Sequence, residues 1–221
     1  MKVSVVIPTL NEEKNLNILL DELKEFEFID EIIIVDGKSK DNTVKIAKKF
    51  NCKIICDEIG KGSSLRKGMK AAKGDIIICM DADLSMQSKE LCLLVSNIEA
   101  GYDICMGSRF IQGGGTEDIT FIRKLGNKFF VFLVNMIWGA DYSDLCYGYR
   151  SFRKISIKDL DLKSDGFGIE TEISIKAAKK NLKIVEIPSF EKARKFGGGK
   201  LRTFSDGMHI FKTIVSELFE K

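Results

Sequence analysis

Histidine is almost missing from this 221-residue chain; the single one, His209, lies in an amphipathic C-terminal segment and reads as structural. Its scarcity argues against Ser/His or Cys/His catalysis, which rests on an imidazole base. Six cysteines occur, at 52, 56, 79, 92, 105 and 146, but no C-x-x-C pair. That spacing, with one histidine, argues against zinc and for small, reduced, partly buried thiols in a cytosolic setting. Strong charge of one sign is also lacking. The formal net charge is +3, too small to imply a nucleic-acid partner. The lysine clusters at 45–49 and 176–183 read as solvated helix faces. The N-terminus, MKVSVVIPTLNEE, turns polar after seven or eight residues and has no small-residue cleavage site, so it is not a signal peptide. The longest apolar stretch, FFVFLVNMIWGA at 129–140, falls short of the roughly 20 residues needed to cross a bilayer. Neither QGGGTE nor FGGGKL is a G-x-G-x-x-G that follows a strand and opens a helix, which removes a dinucleotide site.

What is present is ordinary for a soluble globule: 44% hydrophobic and 30% charged residues, enough chain for one well-cored domain. Apolar runs at 3–8, 31–36, 53–58, 75–81 and 102–110 read as strands, and 11–26, 41–50, 63–73 and 88–100 as helices. Continuous apolar strands alternating with helices predict a mostly parallel sheet covered on both faces. The second half is less regular. Residues 120–138, 170–182 and 204–221 read as helices, 146–154 as a strand or ribbon, and 183–194 as an edge strand or bulge because it holds Pro188. No repeat or linker divides the chain. The expectation is one α/β domain over residues 1–221, with a regular first half at 1–110 and a mixed, less regular second half at 111–221.

The stretch IIICMDADLS, residues 76–85, ends a buried strand on two carboxylates one residue apart. Buried carboxylates are costly unless paired. In an open parallel sheet, ligands bind beyond the carboxyl ends of the strands, where Pro8, Asn11, Glu12, Asp36, Asp81 and Asp83 would converge. Asp81 and Asp83 could share a divalent cation such as Mg²⁺ or Mn²⁺, which also binds substrate phosphates. Read by themselves, they could equally be a helix cap and a turn acid.

Taken in order, VVIPTLNEE, IVDGKSKDNT, KGSSLRKGMKAAKGD, MDADLS and MGSRF resemble family 2 glycosyltransferases of GT-A fold. SDLCYGYRSFRK, GFGIETEISIKAAKKNLKIVEIP and RKFGGGKLR are similar to the dolichyl-phosphate mannose synthase branch, which makes the resemblance nearly full length. It implies a nucleoside diphosphate sugar donor (GDP-mannose or a UDP-hexose), one Mg²⁺ or Mn²⁺, and a polyprenyl phosphate acceptor. It would make residues 1–110 the nucleotide-sugar-binding half and 111–221 the acceptor-side half. By that resemblance Pro8, Asn11, Glu12, Asp36, Gly62, Lys67, Asp81 and Ala82 bind the donor. Asp81 and Asp83 hold the metal, with Gln87 as a third ligand because Ser85 stands where many relatives carry glutamine. Arg109, Arg123, Arg150, Arg194 and Lys200 supply positive charge, the last two from a loop around Gly197–Gly199. Such groups suit a phosphorylated acceptor or the departing diphosphate: Arg109 is set with Asp83 among the catalytic residues, and Arg123, Arg150, Arg194 and Lys200 against the acceptor phosphate.

An ionised lipid phosphate needs no base, whereas a hydroxyl acceptor would require a carboxylate: Asp144, Glu170 or Glu172. Residues 129–138 are apolar on all sides and follow the basic RKLGNK, so they read as buried or lipid-facing. In the final helix Met208, Phe211, Ile214, Val215, Leu218 and Phe219 form a stripe expected to pack on the sheet. The chain would then be cytoplasmic, or peripheral at the cytoplasmic face of a membrane. The D-x-D could also serve a haloacid-dehalogenase-type phosphatase, but that motif opens its domain. A nucleotidyltransferase would carry G-x-G-T-R where PTLNEE stands. A non-catalytic nucleotide-sugar-binding domain would have little reason to keep both acids.

Overall fold

The structure, a computed structural model, describes residues 1–198 and 202–220. In chain order its elements are β1 (Val3–Thr9), α1 (Glu13–Leu23), β2 (Ile29–Asp36), α2 (Thr43–Lys49), β3 (Lys53–Cys56), α3 (Lys61–Ala71), β4 (Ile76–Cys79), α4 (Leu91–Glu99) and β5 (Ile104–Ser108). They continue with β6 (Gly115–Thr116), α5 (Phe121–Trp138), β7 (Arg150–Arg153), α6 (Lys154–Ile157), α7 (Ile169–Lys179), β8 (Ile184–Pro188), β9 (Phe190–Glu191) and α8 (Thr203–Phe219).

Seven strands form one sheet in the order β3-β2-β1-β4-β7-β5-β8. All neighbours pair in parallel except β7, which runs antiparallel between β4 and β5. The alternating pattern of the first half thus gave the parallel strands, while the antiparallel insertion comes from the second half. β6 and β9 make a separate two-stranded ribbon, and α6 is an extra turn of helix. Pro188 ends β8, the last strand of the sheet, where its missing N–H costs no ladder bond.

β1 shows why its apolar run is continuous. Val5 and Ile7 face one core with Leu16, Leu19, Leu20, Leu91 and Leu94, while Val6 faces the other with Leu65, Met69, Ile169 and Ile173. Both faces of the strand are dry, so no alternation with polar residues survives. Register then places the polar ends together. Thr9 pairs with Asp36 and Asp36 with Cys56, while β4 stops at Cys79 opposite Val6. Asp81 therefore lies two residues beyond the strand rather than at its last position.

Two helices of the second half leave much of their apolar surface outward. Only Asn127 and Val134 of α5 are buried, while Phe121, Leu125, Phe129, Phe132 and Met136 are at least half exposed. α8 turns Ile210, Ile214 and Glu217 inward and leaves Phe204, Met208, Phe211, Val215, Leu218 and Phe219 outward. The expected packing of that stripe on the sheet is corrected by charge. Glu217 lies 2.7 Å from Lys179 and 3.4 Å from Lys176, both on α7, and this fixes which face of α8 points in. Gly126 and Gly207 sit inside α5 and α8, where each glycine costs about 1 kcal/mol relative to alanine. Among the described residues, no helix is long and apolar enough to cross a membrane.

Candidate active site

Beyond the carboxyl ends of β1, β2 and β4 lies a cavity of about 950 Å³, a size that suits a nucleotide-sized ligand. Its inner wall carries Asp81, Ala82 and Asp83. The chain reverses there through Leu84, whose φ of 64° is left-handed, an uncommon conformation for a leucine that is found mostly where a site demands it. The turn is fastened by Asp83, which accepts hydrogen bonds from the Ser85 amide (3.1 Å) and hydroxyl (2.7 Å).

Each acid has its own cation. Lys61, at the start of α3, places its ammonium 2.9 Å from Asp81 Oδ1, 3.0 Å from Oδ2 and 3.0 Å from Glu170 Oε1. Arg194 donates Nε to Asp83 at 2.7 Å, and its Nη1 lies 2.7 Å from Asp118. Burial raises the Asp81 carboxyl above its ordinary value despite Lys61, and the Asp83 and Glu170 charges push the same way. Burial works on Asp83 too, but the hydrogen bonds from Ser85 and Arg194 outweigh it and hold that carboxyl below its usual value. Burial alone would favour a neutral Lys61; its two carboxylate partners reverse that and keep it charged.

Two carboxylates on one turn, facing one cavity, are a donor set that fits Mg²⁺ or Mn²⁺, which take oxygen ligands and leave positions for water and phosphate. No third acidic, histidine or cysteine ligand stands close enough among the described residues. Gln87 is not one: its amide nitrogen donates to the Phe190 carbonyl (3.0 Å) and Glu90 (3.3 Å), and it does not line the cavity. That expectation is corrected, because the side chain closes the β9 strand instead.

Pro8, Asn11 and Glu12 line the cavity. Asn11 is not the helix cap; it bonds across to the neighbouring turn, donating its amide to Ser39 Oγ and accepting from the Lys40 amide. Asp36 lies behind the wall, holding Thr9 and Ser39 through three hydrogen bonds. Gly62 is also behind it: a Cβ there would meet the Ser164 carbonyl at 2.3 Å, so the glycine serves close packing against residues 164–166. Lys67 stands outside the lining and pairs at 2.7 Å with Asp57, which does line it.

Arg109, Glu170, Arg123 and Arg194 reach the cavity. Arg109 is held from behind by Asp144 (2.7 and 3.0 Å) and Glu191 (3.1 Å), and lies over the Tyr147 ring at 4.7 Å. Asp144 is fully buried in that pair and does not line the cavity. Glu172 is corrected as well. It accepts from the Lys163 and Ser164 amides, both at 2.7 Å, and pairs with Lys176 at 2.9 Å, so it fastens α7. Arg150 is not a phosphate ligand. It is 1% exposed, and its guanidinium donates to the Tyr147, Glu170 and Leu145 carbonyls and to Ser174 Oγ. Lys200 lies outside the described residues.

Sequence reasoning passed over Lys61, Asp118, Tyr147 and Asn127, all on the cavity wall. Lys61 was within reach, since it sits in the quoted KGSS motif. Asp118 was hidden in a segment that reads as a connection, and Asn127 in an apolar helix. We expect Lys61→Met to lower stability by about 2 kcal/mol, the cost of leaving buried carboxylates unpaired. Mn²⁺ should raise the melting temperature of that variant more than that of the parent, because the cation replaces a missing charge. Equal metal-induced shifts in thermal unfolding would contradict this pairing.

A covered, mostly parallel sheet with paired carboxylates beyond β4 and a cavity at its strand ends is the arrangement expected of a GT-A fold. The chain belongs to glycosyl transferase family 2, whose profile matches residues 4–161. It is 35% identical to the dolichol-phosphate mannosyltransferase of Pyrococcus furiosus over 96% of this chain and 63% of that protein, so it spans less than two thirds of that relative. It is 32% identical to an uncharacterized protein of Methanocaldococcus jannaschii, covering 99% of this chain and 93% of the other. The dolichyl-phosphate hexose transferase of Haloferax volcanii is 28% identical, with 99% and 95% covered. Among solved structures, glucosyl-3-phosphoglycerate synthase of Mycobacterium tuberculosis, in complex with Mn²⁺, uridine diphosphate and phosphoglyceric acid, superposes with a TM-score of 0.78. The match covers 98% of this chain and 78% of that one; at 18% identity it speaks for the fold.

Proposed function

We propose that this chain moves a hexose from a nucleoside diphosphate sugar to the phosphate of a polyprenyl (dolichyl) phosphate, with inversion at the anomeric carbon. One observation carries the reading. The same cavity is lined by the paired carboxylates and by Arg123 with the apolar residues Ile122, Phe130 and Phe204 of α5 and α8. Such a cavity suits a donor diphosphate and a phosphorylated apolar acceptor together. The names of the relatives from Pyrococcus and Haloferax support the same acceptor class.

Asp81 and Asp83 would hold Mg²⁺ or Mn²⁺, and the cation when bound would neutralise the leaving diphosphate. Arg194 and Lys61, already at those acids, supply further positive charge where negative charge develops. Glu12 and Asn11 line the nucleotide end, with Asp36 and Lys67 holding the wall behind them. Arg109 and Arg123, which also line the cavity, would face the acceptor. The attacking phosphate oxygen is ionised already, so no proton acceptor is needed; Glu170 is paired to Lys61 and free for none. The outward apolar stripes of α5 and α8, flanked by Lys124 and Lys128, suit contact with an anionic membrane surface.

The test is a screen of GDP-mannose, UDP-glucose and UDP-N-acetylglucosamine as radiolabelled donors with a short-chain polyprenyl phosphate. The expected result is label on the lipid from at least one donor. Transfer only to a soluble hydroxyl acceptor would contradict the lipid reading and return Glu170 to the role of base.

A further inference from the structure

Two of the helix glycines have no structural reason to be glycine, unlike Gly62 and Gly68 of α3, which pack closely. Gly126 of α5 and Gly207 of α8 both have ordinary negative φ, and a Cβ built on either meets nothing within 4 Å. Neither a turn nor a close approach demands them, and glycine is among the poorest helix formers. Both line the cavity. Around them stand Ile122, Phe130, Phe204 and Ile210, also of α5 and α8. Ile122 and Phe204 are 57% and 83% exposed, so this arm of the cavity runs out onto the outward apolar stripes of the two helices.

The inner end of the same arm is polar. Asn127 is 2% exposed; its Oδ1 accepts from the Leu145 and Cys146 amides at 3.1 and 3.2 Å, while its Nδ2 has no partner. A buried amide donor without an acceptor is unusual, and here it borders the cavity. Arg123 Nε donates to Thr203 Oγ1 at 3.2 Å, tying the two helices together beside it. The arm therefore has an anion-seeking inner end and an apolar outlet.

Building on the function proposed above, we propose that Gly126 and Gly207 determine acceptor specificity: they keep open a slot between α5 and α8 through which the isoprenoid chain of the phosphorylated acceptor leaves the cavity. Side chains at either position would fill the space that the first isoprene units occupy. The acceptor's charged end stays inside, within reach of the unpartnered Asn127 amide, and its chain passes directly to the exposed apolar face.

The experiment compares the parent with Gly126→Leu, Gly207→Leu and the two alanine variants, using farnesyl phosphate as acceptor and the best donor from the screen. The leucine variants are expected to raise the acceptor KM at least tenfold, with kcat changed less than twofold. Their Mn²⁺-dependent nucleotide affinity, measured by calorimetry, should match that of the parent. The alanine variants are expected to melt at higher temperature than the parent and to shift KM by less than threefold. Transfer by the parent together with unchanged KM in both leucine variants would overturn the slot while leaving the function intact. No transfer by the parent to any polyprenyl phosphate would overturn both. Should one leucine variant fail to fold, the other carries the test alone.

Discussion

Asp83→Asn is expected to lower sugar transfer by about 10³-fold or more and to abolish metal-dependent nucleotide binding, with the fold retained. The carboxylate has two attachments. Its Oδ1 takes the Ser85 amide and hydroxyl, and its Oδ2 takes Arg194. An amide of the same shape can keep the Ser85 contacts, so the turn through Leu84 survives. It cannot carry the charge that a divalent cation needs, and its NH₂ group would face the Arg194 guanidinium. Transfer rate, calorimetry with Mn²⁺ and GDP or UDP, and circular dichroism read the three parts separately. Full transfer by the variant, or undiminished parent activity in excess chelator, would contradict the role given to this acid.

Arg150→Met is expected to cost about 3 kcal/mol or more of folding stability. The guanidinium satisfies three carbonyls and one hydroxyl from Leu145, Tyr147, Glu170 and Ser174, and so links β7 to α7 through the loop before it. Methionine fills the volume but removes the guanidinium donors from the Leu145 and Tyr147 carbonyls and from Ser174 Oγ, leaving the Glu170 carbonyl only its bond from the Ser174 hydroxyl. Denaturant unfolding measures the loss. A phosphate-binding role would instead leave stability unchanged and raise only the acceptor KM, which is the result that would restore the reading made from sequence.

These two residues mark what the sequence discloses and what it hides. The paired acids at 81 and 83 were legible because a buried apolar run has no local reason to end on two carboxylates. The sheet was legible for a related cause: β1 and the second half of β2, from Ile33, are dry on both faces, so their composition records burial directly. Arg150 was misread because an arginine inside a glycine-flanked segment looks the same in sequence whether it meets a ligand or four atoms of its own chain. Gly62 was misread likewise, since its neighbours at 164–166 are remote in sequence, and Glu172 because the loop amides it accepts from, at Lys163 and Ser164, carry no local pattern that marks them as partners. β7 was read as a strand or ribbon over 146–154, but its antiparallel place between β4 and β5 was not, because strand order depends on long-range closure rather than local pattern. The stripe on α8 was seen correctly, but its direction was not. Glu217 and its lysine partners on α7 settle that direction, and the sequence shows no sign of the pairing.

The central claim is that the carboxylates of Asp81 and Asp83 and the apolar arm between α5 and α8 serve one reaction. Its most direct test is the partition of radiolabel after incubation of the protein with labelled sugar nucleotide, Mn²⁺ and a short-chain polyprenyl phosphate. The account predicts label in the organic phase, dependent on the cation, suppressed by chelator and absent with Asp83→Asn. Label that stays in the aqueous phase with every donor, or moves to lipid equally well in chelator, would contradict it.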